Sequence, residues 1–221
     1  MEVLECFMIP LHQNIINNTE LRQLHCCVYD TYTINSDGSI IESIYNSILV
    51  ENQNPYNIDL ELLKTCVKGT YTINNDRSID VKGNVKLINK KLTKIPFKFR
   101  NVSGHFDCSN NKFQSLEGAP TTVGGHFDYS NNQLQSLEGS PTTVGKHFYC
   151  HNNQLKTLEG APTTVGGDFY CYNNQLKSLE GAPTKVGGIF NCSGNQIQSL
   201  KGIPTTVGKH FYCHNNQLKT L

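Results

Sequence analysis

Two residue pairs in this sequence have the types that nucleophilic catalysis uses: Cys150-His151 and Cys213-His214. A thiol beside an imidazole can form a thiolate–imidazolium pair, provided both side chains leave the backbone on the same side. Adjacent residues of an extended strand do the opposite, because successive side chains point to opposite faces. With Cys150 facing a core, His151 faces solvent, and no nucleophile is assembled. The histidines suggest a second chemistry. His105, His126, His147 and His210 share one position of a repeat, with Asp168 and Ile189 in the same column. Imidazoles on strands stacked about 4.8 Å apart could share a metal ion. The pattern supplies no partners to orient them as ligands, so the column reads as a solvated surface ladder, with neither metal nor cofactor expected. Gly124-Gly125, Gly166-Gly167 and Gly187-Gly188 resemble phosphate loops, but lack the Lys-Ser/Thr that such loops need. Recurring with every unit, they read as tight turns entering each strand. No catalytic constellation survives, so the chain reads as a non-enzyme.

What positions these residues is a repeat of 21 residues. Val102, Val123, Val144, Val165, Val186 and Val207 keep that step, and so do Phe106, Phe127, Phe148, Phe169, Phe190 and Phe211. The unit at residues 165–185 reads VGGDFYCYNNQLKSLEGAPTK. In it Phe169, Cys171, Asn174, Leu176 and Leu179 match L-x-L-x-x-N-x-L-x-x-L, the leucine-rich-repeat spacing. Asp168 to Tyr172 is predicted as a strand with Phe169 and Cys171 inward and Asp168, Tyr170 and Tyr172 outward. Asn174 turns the chain, its amide satisfying backbone groups at the bend. Gly181-Ala182-Pro183 leaves no room for a convex-side helix. Cys108, Cys150, Cys171, Cys192 and Cys213 fill one inward column, which predicts buried, reduced thiols. A degenerate first coil carries Val81, Val85, Leu87, Leu92 and Ile95, with Lys90 where Asn is expected. That is the look of a capping repeat.

The fold class expected is α+β followed by solenoid: a leucine-rich-repeat solenoid with a parallel sheet on its concave face and a non-helical convex side, preceded by a small α+β segment. Residues 1–68 form that segment, 69–101 a hairpin and capping repeat, and 102–221 the repeats. Within the N-terminal part, Thr31 to Asn35 with Asp37 and Ser39-Ile40 recurs as Thr70 to Asn74, Asp76 and Ser78-Ile79, both copies reading as hairpins. Arg77 stands where the first copy has Gly38. A helix is predicted over residues 57–68, with Ile58, Leu62 and Leu63 on one side, and another over residues 19–27.

The combination SLEGAPTTVGGxFxCxxNQLxSL, preceded by YTINxDxSIDVKGNVxL, resembles short leucine-rich-repeat proteins of bacteria and of tailed bacteriophages. The resemblance covers residues 69–221. It implies a recognition role, in the host bacterial cytoplasm or on the virion. Bacterial effectors with similar repeats carry a ubiquitin-ligase domain and paired L-P-x-L-P prolines; those prolines are absent here, so a ligase is not expected.

Composition leads one to expect a soluble protein. The formal net charge is +1 and 17% of residues are charged, which suggests neither a polyanion binder nor an acidic tail. Residues 1–80 hold 4 Lys/Arg against 11 Asp/Glu, while residues 81–221 hold 15 against 7. The basic run from Lys82 to Arg100 has few interleaved aromatics, so nucleic acid is not the expected partner. No stretch approaches the roughly 18 apolar residues that span a membrane, and no basic signal segment opens the chain. The chain ends at Leu221, fifteen residues into a coil of 21, which predicts a longer repeat protein or self-association through that last coil.

The expected binding face is the set of outward columns: His105, His126, His147, Asp168, Ile189, His210; then Asp107, Asp128, Tyr149, Tyr170, Asn191, Tyr212; then Ser109, Ser130, His151, Tyr172, Ser193, His214. Rings concentrate at His147, Tyr149, His151, Tyr170 and Tyr172, with Asp168 beside them in the same face, and again at His210, Tyr212 and His214. Rigid exposed aromatics anchor interfaces at little entropic cost. A protein-interaction module is therefore expected, with a structural or virion-associated spacer as the alternative.

Overall fold

In a computed structural model of the protein, the structure describes residues 58–219. The helix expected at residues 19–27 and the first copy of the hairpin motif lie outside the described residues. The compact unit that contains the repeats begins at Ile58.

Helix α1 (Leu60–Cys66) is shorter than the predicted span. Asp59 caps it, its carboxylate accepting the Leu62 N–H at 2.8 Å, so the first turn begins there; residue 57, the start of the predicted span, lies outside the described residues. It stops where Val67 turns extended, at φ −86° and ψ 131°. Leu63 and Cys66 are fully buried and join the core of the repeats. Strand β1 (Val67–Ile73) then pairs antiparallel with β2 (Ile79–Lys86), the hairpin expected of the second motif copy. Asp76 accepts the Ser78 N–H at 3.1 Å across the turn, and Arg77 adopts a φ of 61°, the left-handed conformation that glycine would take more easily.

Strand β2 is the first layer of two stacks at once. Its start pairs parallel with β3 (Phe99–Val102) and its end with β4 (Phe106–Asp107). From there one ladder runs through Thr122–Val123, Thr143–Val144, Thr164–Val165, Lys185–Val186 and Thr206–Val207. The other runs through Phe127–Asp128, Phe148–Tyr149, Phe169–Tyr170, Phe190–Asn191 and Phe211–Tyr212. The described repeats thus form a parallel β-solenoid, in register from coil to coil after a shift at Ile79/Asp80 where β2 meets β3, with return segments built from turns and bends and no helix. Each coil contributes two short strands where the sequence predicted one. The valine column is the reason: Val123, Val144 and Val165 are buried beside exposed Thr122, Thr143 and Thr164, a half-buried alternation too short to read as a strand in the sequence.

The core is a set of columns. Phe148, Phe169, Phe190 and Phe211 stack at ring separations of 5.1, 5.4 and 5.4 Å. Cys150, Cys171 and Cys192 are buried free thiols, as expected; each donates to a carbonyl of the next coil at 3.4 to 3.5 Å. Tyr129 takes this position in one coil and is fully buried, next to Cys108. The asparagine column does what the bend requires. Asn174 donates to the carbonyls of Cys150, Cys171 and Tyr172 at 3.1, 3.1 and 3.3 Å and accepts the Leu155 N–H at 3.0 Å. One buried amide therefore ties its own turn to the preceding coil.

Candidate functional site

The first outward column is engaged with the backbone. Asn84 accepts the His105 N–H at 2.7 Å, His105 Nδ1 accepts the His126 N–H at 2.9 Å, and His147 Nδ1 accepts the Asp168 N–H at 2.8 Å. Asp168 Oδ1 in turn accepts the Ile189 N–H at 2.8 Å. Each of these side chains reaches one coil forward and caps the same position there. The reach crosses the residue just before the cap. A Cβ at Gly104, Gly125, Gly167 or Gly188 would stand 2.2, 2.5, 2.7 or 2.1 Å from the accepting atom. At the equivalent place before His147 the chain has Lys146, and there the cap fails: His126 Nδ1 is buried without a partner. Lys209 is the other exception, and the preceding column residue, Ile189, has no acceptor to offer.

These bonds fix the chemistry of the imidazoles. An Nδ1 that accepts an N–H carries no proton, so neutral His105 and His147 are protonated at Nε2. A metal-binding imidazole needs the reverse, one free nitrogen toward the ion and the other donating to an orienting partner. The column is built as a set of backbone caps. Among the described residues no group of three or more His, Cys, Asp or Glu side chains is placed to hold a metal ion. The approach of Asp168 Oδ2 to His147 Nδ1 at 3.2 Å is likewise a contact and not an ion pair while the imidazole is neutral.

The rings are packed on one another. His105, His126 and His147 stack in sequence at 4.2 and 4.5 Å with interplanar angles of 15° and 4°. Tyr149 lies 5.6 Å from His147 and 5.1 Å from Tyr170. Tyr172 stacks on His151 at 4.3 Å and lies 6.0 Å from Tyr170. His147, Tyr149, His151, Tyr170 and Tyr172 are thus one continuous, half-buried ring surface across two coils, with Asp168 attached through the Tyr170 hydroxyl at 3.4 Å. Burial, with the carboxylate of Asp168 adding to it, pushes the Tyr149 phenol up to about 12. Burial alone holds the His151 imidazole down at about 4, and its Nδ1 has no partner.

His210, Tyr212 and His214 form a separate group. Tyr212 lies 5.8 Å from His210 and 6.4 Å from His214. The coil of Ile189, Asn191 and Ser193 stands between this group and the larger one. The third column also departs from its expected outward course. Ser109, Ser130 and Ser193 are buried at 6, 4 and 5% exposure. Asp107, Asp128 and Asn191 accept the N–H of the serine two residues on at 3.0, 2.8 and 3.0 Å, folding the chain inward there. Asp107 and Asp128 face each other on adjacent coils, and burial raises the Asp128 carboxyl above the usual carboxylate range. The Cys150 thiol is fully buried, is pushed upward by that burial and donates to the Tyr170 carbonyl, while the His151 ring stacks on Tyr172 with its Nδ1 unpartnered, so the two are not paired as thiol and base.

Sequence reasoning missed the caps of Asn84 and Asp168 and the role of the glycines. The signal was present: glycine stands before each column residue that is capped by an acceptor one coil earlier, and lysine before the two that are not. No protein-family profile, curated protein or solved structure matches this chain.

Proposed function

We propose that this chain is a protein-interaction module, its coils of the leucine-rich-repeat type, presenting the His147–Tyr172 ring surface to a protein partner as the concave face of the solenoid. The observation that carries the reading is the continuity of that surface. Tyr149 and Tyr170 stand on paired strands, with His147, His151 and Tyr172 beside them and each ring packed on its neighbours, so little entropy is lost when they are covered. The resemblance to bacterial and tailed-phage repeat proteins supports a host factor as the partner, met in the bacterial cytoplasm. A spacer role, on a virion or elsewhere, is the second reading. It is favoured by the in-register stacking of successive coils, each of which contacts its neighbours whatever its surface does.

The two are separated by Tyr149→Ala with Tyr170→Ala in the full chain. Binding through this face predicts a loss of partner capture by at least roughly 2 kcal/mol, the hot-spot scale. The far-ultraviolet spectrum and the cooperative melt should persist. Undiminished capture by the folded double variant would leave the spacer reading standing.

A further inference from the structure

We propose that the column His105–His126–His147 is an acid-sensitive seam, in which protonation of the imidazoles releases the hydrogen bonds that tie one coil to the next. The seam is set by which nitrogen is available. Because Nδ1 of His105 accepts the His126 N–H and Nδ1 of His147 accepts the Asp168 N–H, the resident proton of each ring is on Nε2. An added proton has only Nδ1 to occupy, the atom that makes the cap. Proton binding and coil capping compete for one lone pair, so each excludes the other.

Two further features point the same way. The rings are face to face at 4.2 and 4.5 Å, a distance at which neighbouring imidazolium charges repel. His126 Nδ1 is already buried without a partner, so a proton placed there would be a charge with nothing to receive it. The charged and titratable groups around the column are divided. Lys86 and Lys146 oppose protonation of His105, while Asp107 favours it. His126 faces His105, His147, Lys146 and Tyr149, with Asp168 favouring its charge. His147 meets Tyr149 and has Asp168 Oδ2 at 3.2 Å, where a protonated Nδ1 would find a new acceptor. Protonation of His105 therefore leaves the His126 N–H without its acceptor, whereas at His147–Asp168 the lost cap is exchanged for an ion pair.

The repeat itself supplies the test. Asn84 occupies the same column and caps His105 through an amide oxygen that does not titrate. His105→Asn with His147→Asn should keep both caps and lose the acid response. Thermal melts of the full wild-type chain are expected to fall by at least about 5 °C between pH 7.5 and pH 5.0, the scale of a lost inter-coil bond or two in a chain of this size. Measured with His151→Ser added to both proteins, so that the acid response of His151 drops out, the fall in the double variant should be at most half as large. Equal falls in the two proteins would overturn the proposal, as would a wild-type melt flat across this range. Should the variant not fold, nitrogen chemical shifts of the wild-type imidazoles decide the point: His105 and His147 must be Nε2–H at pH 7.5, and Nδ1–H in either would overturn the seam.

Discussion

Gly188 and Asp168 are bound to each other's identity. Asp168 Oδ1 accepts the Ile189 N–H at 2.8 Å, and a Cβ on Gly188 would lie 2.1 Å from that same oxygen. Gly188→Ala must push the carboxylate off its cap, leaving the Ile189 N–H unsatisfied at a cost of about 1–3 kcal/mol. Chemical denaturation should report a lower midpoint with an unchanged slope. A neutral alanine at this position would mean that the cap contributes nothing.

Lys146 offers the converse experiment. Lys146→Gly removes the side chain that stands where the His126 cap would pass, and His126 Nδ1 should then accept the His147 N–H. The gain of a hydrogen bond, about 1 kcal/mol, is offset by a glycine entropy cost of about 0.5–1 kcal/mol. Global stability should therefore barely move. Slower hydrogen exchange at the His147 amide is the expected readout, and an unchanged rate would refute the account of the orphaned nitrogen.

The asparagine column should be costly to alter. Asn153 donates to the carbonyls of Tyr129, Cys150 and His151 and accepts the Leu134 N–H, within a coil bend that is fully packed. Asn153→Leu keeps the branched outline, adds bulk and strands those groups, so a loss on the order of 3 kcal/mol or more is expected from urea unfolding. Asn153→Asp should not rescue it, since a carboxylate cannot donate to the carbonyls.

His151 sets a second pH dependence, outside the seam. Its imidazole is held at about 4 by burial, below the ordinary 6.5. The unfolded chain thus binds the proton more readily, and stability is full above about pH 6.5 and declines as pH falls toward 4. The site is only half-buried, so the screened contribution is on the order of 1 kcal/mol. His151→Ser, the residue found at this position in three other coils, should flatten that part of the stability profile. A profile identical to the wild type would exclude His151 as its source.

The thiols should behave as core atoms. Burial pushes Cys150 and Cys171 upward, so a maleimide should label them only after unfolding, while Cys213, half-buried just after the strand Phe211–Tyr212, reacts before the other described cysteines. Because the neutral thiol is favoured in the fold, their contribution is present below about pH 9 and is lost as pH rises above it. Rapid labelling of Cys171 in the folded chain would contradict the burial.

The sequence by itself determined the coil. A step of 21 residues that returns valine, phenylalanine, asparagine and leucine to the same places admits one economical packing, each residue stacked on its own copy, and the structure has it. The ring surface was legible for the same reason, because strand alternation sends Phe169 in and Tyr170 out wherever the sheet lies. What only the tertiary structure decided are relations between coils: that Val165 and Phe169 belong to separate ladders, that Ser109 folds inward, and that the histidines spend Nδ1 on the backbone. Those depend on distances between residues 21 apart, and on a bend whose sharpness no local propensity encodes. A glycine in the sequence permits such a bend; the acceptor one coil away is what makes it necessary.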